Sequence, residues 1–108
     1  MNTNKHQILV EVLFYKEGQC RKTLPDFTER MYRPHLVVKG AKELLGICFI
    51  EGDTVQLGSK SNAIIETVYD GVDYSTLLNP NTEFDIVEGR NVVGEGRVIE
   101  VLNMPKIK

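Results

Sequence analysis

The sequence predicts an all-β protein, a small closed antiparallel β-barrel of about six strands, and three observations carry that expectation. Short runs rich in branched and aromatic residues recur along the chain, Gly, Asn, Asp and Pro punctuate them at close intervals, and helical periodicity is nearly absent. A barrel is preferred to an open sheet because closure removes the unpaired strand edges that a sheet this small would otherwise expose. At 108 residues with 42% hydrophobic content, the chain is long enough for one modest core, and one domain is the economical reading.

The first element is Gln7 to Tyr15, in which Ile8, Val10, Val12 and Phe14 form an apolar face at period two and are expected to point inward. The opposite face is mixed: Gln7 and Glu11 favour water, whereas Leu9, Leu13 and Tyr15 form a candidate patch for contact with a protein. Lys16 to Met31 is polar at its start and carries Gly18 and Pro25, so a long connection is expected there. Further strands are predicted at His35–Val38, Leu45–Ile50, Thr54–Leu57, Ala63–Tyr69, Glu83–Val87 and Val92–Leu102. Ala41 to Leu45 has helix-forming residues, but Gly40 and Gly46 bracket it too closely for more than a turn. The last two strands flank Glu88-Gly89-Arg90-Asn91 and read as a hairpin in which Gly89 supplies the backbone freedom of the turn. Cys48, Ile50, Phe84, Ile86 and Val98 are expected to join the inward residues of the first strand in a single core.

Composition excludes several function classes. A net charge of −2 argues against a general nucleic-acid binder, which depends on many Lys and Arg contacts to phosphate. The uncharged apolar runs Ile8-Leu9-Val10 and Gly46 to Ile50 are far short of the roughly 20 residues of a membrane helix. Met1 to His6 lacks the apolar sequel of a signal peptide, so a cytosolic protein with no membrane partner is expected. Cys20 and Cys48, with only His6 and His35 as further soft ligands, do not make a metal site or a disulfide framework. No metal or cofactor is therefore expected.

Catalysis finds no support either. Asp53 to Ser61 superficially resembles a phosphate loop, but Gly52 and Gly58 have five residues between them where that loop has four, Ser59 intervenes before Lys60, and a strand-like run follows where that loop requires a helix. No nucleotide binding is expected. Asp70, Asp73, Glu83, Asp85 and Glu88 have no spacing that would bring two into an apolar pocket and split their pKa values. Neither cysteine has an activating base nearby in sequence. The chain is expected not to be an enzyme.

Two motifs resemble a known family. The hairpin Phe84-Asp85-Ile86-Val87-Glu88-Gly89 followed by Val93-Gly94-Glu95-Gly96-Arg97-Val98, and the earlier Tyr32-Arg33-Pro34-His35, are similar in order and spacing to the C-terminal β-barrel domain of the elongation factor Tu family. The likeness runs from about Ile8 to Leu102. It implies a Greek-key barrel standing alone, without the GTPase domain, and binding either RNA or a translation-linked component. Carried onto this sequence, the family's tRNA-facing segments correspond to Arg21, Lys22 and Thr23 and to Glu88 and Gly89, with Arg33 and His35 at the start of a strand nearby. The chain departs from the family at His35, at Leu45 and in a longer segment between Arg21 and Tyr32. A second reading of the same resemblance is a protein partner, including mimicry of the factor to occupy something that binds it. A small-molecule role is the third, although a barrel of about six short strands is normally filled by its own side chains.

Overall fold

The computed structural model describes residues 6–16, 27, 32–69 and 71–103. Six strands run as β1 (Gln7–Phe14), β2 (His35–Val38), β3 (Leu45–Gly52), β4 (Lys60–Thr67), β5 (Glu83–Glu88) and β6 (Asn91–Asn103), with a short 3-10 helix at Ser75–Leu78. They close into one barrel in the order β1-β4-β3-β2-β5-β6, and every neighbouring pair is antiparallel. The fold class read from the sequence is therefore the observed one. Among the described residues no helix is long and apolar enough to cross a membrane.

Period-two burial sets each strand's orientation. In β1 the even positions Ile8, Val10, Val12 and Phe14 are buried and the odd ones only half-buried, as an amphipathic strand requires. They meet Leu36, Ile47, Phe49, Ile65, Phe84, Ile86 and Val98 in one interior cluster. β6 contributes almost no volume where Gly94 and Gly96 face inward. A Cβ at Gly96 would stand 2.9 Å from the Phe84 ring and 2.5 Å from the Glu11 carbonyl oxygen, and one at Gly94 would stand 2.6 Å from the Leu13 carbonyl oxygen. The glycines thus let β1 and β6 approach and leave the interior to Phe84 and Ile86.

Three expectations need correction. Thr54–Leu57 is not a strand; Val55 is buried and Leu57 packs on the core from an irregular segment, so apolar spacing by two reflects burial without ladder pairing. The strand placed at Ala63–Tyr69 instead begins at Lys60 and ends at Thr67. In β3 the inward residues are Ile47 and Phe49, not Cys48 and Ile50. Cys48 is buried outside the main interior cluster, and Ile50 is half-buried at a register shift between Phe49 and Glu51. The Ser75–Leu78 helix, which the sequence reading did not contain, buries Leu77 fully in the core. The connection expected from Lys16 to Met31 lies mostly outside the described residues.

Candidate functional site

Tyr32 to Pro34 leads into β2 along the side of β3. The Phe49 amide donates to the Tyr32 carbonyl at 3.0 Å and the Ile47 amide to the Pro34 carbonyl at 3.2 Å. Proline has no N–H to offer, and here only its carbonyl is needed. The Tyr32 ring lies among Phe14, Phe27 and Phe49, with centroids 6.0, 6.1 and 5.3 Å away. Its hydroxyl donates to Glu88 Oε2 at 2.5 Å, a short charge-assisted bond that ties the start of β2 to the end of β5.

The β5–β6 turn follows at once. Gly89 has φ +61° and Arg90 has no positive φ, the pattern of a two-residue type II′ hairpin turn, in which the first central position favours glycine. His35, half-buried, is opposite Gly46 on β3 and Val87 on β5. Continuing the β2–β5 register by two residues sets exposed Arg33 beside Gly89. Arg33, His35, Glu88 and Gly89, distant in sequence, are thus neighbours around the start of β2. Arg21, Lys22 and Thr23 lie outside the described residues.

The alternative patch has a different character. Leu9, Leu13 and Tyr15 are half-buried along the outer side of β1, and Leu9 is flanked by Ile64 of β4 and Glu100 of β6. Leu13 stands between Lys60 and Glu95, and the Tyr15 hydroxyl donates to Glu95 Oε1 at 3.1 Å. The patch borders a lattice of charges. Lys39 Nζ reaches Asp85 at 2.8 Å and Glu95 at 3.7 Å, and Arg97 Nε reaches Glu11 at 3.4 Å. A surface recess of about 300 Å³ opens here, walled by Glu11, Lys39, Lys60, Glu83, Glu95 and Arg97. Partial burial and then the bond to Glu95 hold the Tyr15 hydroxyl above its ordinary pKa, and the bond to Asp85 raises that of Lys39.

Cys48 is a buried thiol directed at the Phe49 carbonyl oxygen, 3.6 Å away; Cys20 lies outside the described residues. Lys60 opens β4 rather than a helix. Among the described residues no three His, Cys, Asp or Glu side chains converge on a common point.

One arrangement had no sequence signal beyond a strand-like run. The β3–β4 register pairs Ile47 with Thr67 and would next pair Gly46 with Val68, but β4 has ended. The buried Tyr74 hydroxyl takes that place, donating to the Gly46 carbonyl at 2.6 Å and accepting from the amides of Val68 at 3.4 Å and Tyr69 at 3.2 Å. Tyr69, 55% exposed, sets the edge of its ring against Gly46. A Cβ on that glycine would come within 2.4 Å of the ring, so glycine is what allows the ring to rest there.

Comparison of the sequence with protein-family models and with curated proteins finds no match.

Proposed function

We propose that this protein is a non-catalytic, cytosolic binding module, a barrel of the elongation factor Tu type, whose partner is RNA or a translation-linked component. The contact surface is the start of β2 with the β5–β6 turn, carrying Arg33, His35, Glu88 and Gly89; the resemblance adds Arg21, Lys22 and Thr23, which lie outside the described residues. One observation carries the reading: the β2–β5 register and the Tyr32–Glu88 hydrogen bond hold Arg33 and His35 beside the Glu88-Gly89 turn. The barrel interior is occupied by its own side chains, so binding falls to the outer surface.

An Arg guanidinium offers a fixed fork of donors suited to phosphate, and losing a well-paired one should weaken binding by roughly 1.5–3 kcal/mol. Anisotropy titration of a fluorescent RNA hairpin at low and at moderate salt tests the proposal. Saturable binding that weakens with salt and drops at least about tenfold in Arg33→Ala is expected. No saturable RNA binding at low salt overturns it.

A protein partner is the second reading, favoured by the half-buried Leu9 and Leu13 with Ile64 beside Leu9. Capture of the same partner from nuclease-treated lysate by the parent but not by Leu13→Asp would move the assignment there.

A further inference from the structure

We infer that the barrel pairs weakly with a second copy of itself, about a two-fold axis that runs along the outward row of β1. Such a dimer rests on the protein reading of the Leu9 and Leu13 patch above, gives that patch its occupant, and is independent of the RNA reading. An isologous contact needs a surface that complements itself across its axis. The outward row of β1 is Leu9, Glu11 and Leu13, and the ladder registers fix the neighbours at each height. On the β4 side stand Lys60 beside Leu13, Asn62 beside Glu11 and Ile64 beside Leu9; on the β6 side stand Glu95, Arg97 and Glu100 in the same order. Face-to-face pairing about this row lays each β4 residue over the β6 residue of equal height. Lys60 then meets Glu95 of the second copy, Asn62 meets Arg97, and Leu9 and Leu13 each meet their own copies.

Lys60 singles out this arrangement. The other cations of the recess have carboxylates within reach, Lys39 at Asp85 and Glu95 and Arg97 at Glu11, whereas the exposed Lys60 has no ion pair among the described residues. Within one chain it stands two strand spacings from Glu95, about 10 Å, with Leu13 between them. The axis brings it over a copy of that same glutamate, half of whose side chain is open. Symmetry makes the pair twice, since whatever satisfies Lys60 of one copy satisfies Lys60 of the other.

Two contacts oppose the dimer. Glu11 meets its own copy, although Arg97 at 3.4 Å offsets the repulsion, and Ile64 faces Glu100. The contact is also small: three strands by seven residues span roughly 14 by 24 Å, or about 340 Å² in projection, below the roughly 800 Å² per partner of a standard interface. The dimer is therefore weak and forms at high protein concentration. In the closed order β1-β4-β3-β2-β5-β6, β2 is diametrically opposite β1. Each copy thus keeps the start of β2 facing away from the contact, and the dimer presents two such surfaces at once.

Sedimentation velocity of the full chain from about 10 μM to about 1 mM tests the dimer. The parent should move from the mass of one chain toward that of two, and Leu13→Asp should stay at one, a loss of at least about tenfold in affinity. Lys60→Glu sets like charges at both symmetric contacts, and so does Glu95→Lys; each alone should weaken association by about 3- to 30-fold. An equimolar mixture of the two variants should recover the parent's affinity, because in the mixed pair both contacts join opposite charges. Circular dichroism melts verify that each variant is folded, and a misfolded variant would not recover on mixing. A parent that keeps the mass of one chain at every concentration overturns the dimer. So does association that survives Leu13→Asp, or a mixture that associates no better than either variant alone, since the axis would then lie elsewhere. The RNA titration with Arg33→Ala is untouched by any of these results, and capture of a different protein through Leu13 would keep the protein reading while the dimer falls.

Discussion

Replacing Tyr74 with Phe removes one oxygen atom and three hydrogen bonds. The ring stays buried, so no cavity larger than the hydroxyl arises, and the loss is a polar one. The Gly46 carbonyl, which accepts at 2.6 Å in a buried setting, is left without that donor, and an unsatisfied buried acceptor costs about 1–3 kcal/mol. The Val68 and Tyr69 amides are only partly buried and their bonds are longer, 3.4 and 3.2 Å. Water replaces the hydroxyl there, and the two together add about 1 kcal/mol or less. A total near 2–3 kcal/mol is a large share of the stability of a domain this size, and it should lower the melting temperature by roughly 10–20 °C. Urea denaturation followed by far-ultraviolet circular dichroism measures it, with Tyr69→Phe as the control that keeps Tyr74. An unchanged slope with a lower midpoint is expected. A Tyr74→Phe variant with the parent's midpoint would refute the reasoning, for it would mean that the hydroxyl does not end the β3–β4 ladder.

Two further outcomes follow from the fold. Phe84→Ala should cost about 3–5 kcal/mol, because Phe84 is fully buried and occupies the room left by Gly96; a urea midpoint equal to the parent's would show that the inward face of β5 is misassigned. Stability should also fall on the alkaline side. The folded chain holds Tyr15 and Lys39 above their ordinary values of 10.0 and 10.5, so it keeps protons that the unfolded chain gives up. The contribution is complete below pH 10 and is lost as pH rises through the raised values. Both groups are near the surface, so the slope should be shallow and should flatten further in 1 M salt. Urea midpoints from pH 8 to 11 for the parent and for Tyr15→Phe with Lys39→Gln measure it, and identical pH profiles would refute the role of these groups.

The fold was legible wherever burial alternated cleanly. β1 could be oriented from its sequence because Glu11 and Gln7 mark one face as wet, and the β5–β6 hairpin because Gly89 marks its turn. β3 could not. Gly46 to Ile50 is apolar at every position, so periodicity has no phase to report, and the register shift at Phe49 alters the alternation again. The Thr54–Leu57 segment misled for the converse reason: Val55 and Leu57 share a spacing of two, yet it is a loop folding back onto the barrel that buries Val55 and partly covers Leu57. Its anchor is the bond from the Gly58 amide to the Phe14 carbonyl at 2.7 Å, which local sequence does not encode. Leu77 was missed because a single helical turn is too short for a periodic signal.

The candidate site divides along the same line. Tyr32-Arg33-Pro34 and Glu88-Gly89 are short motifs with local turn or strand chemistry, and they could be picked out before their proximity was known. The Tyr74 hydroxyl, the Gly46 carbonyl and the Tyr69 ring make sense only together, since each is an ordinary residue until β4 ends one pair too soon and leaves a carbonyl to satisfy. A buried acceptor at a truncated ladder needs a donor, and a tyrosine whose ring can reach the core while its hydroxyl stays at the seam meets that need. The same hydroxyl holds the amide of a second, exposed tyrosine whose ring edge lies beside that glycine. Stability and surface display are therefore coupled through one oxygen atom. If so, Tyr74→Phe should speed hydrogen exchange at the Tyr69 amide, which donates to that hydroxyl, even at temperatures where the variant remains folded, a change that loss of core packing would not explain.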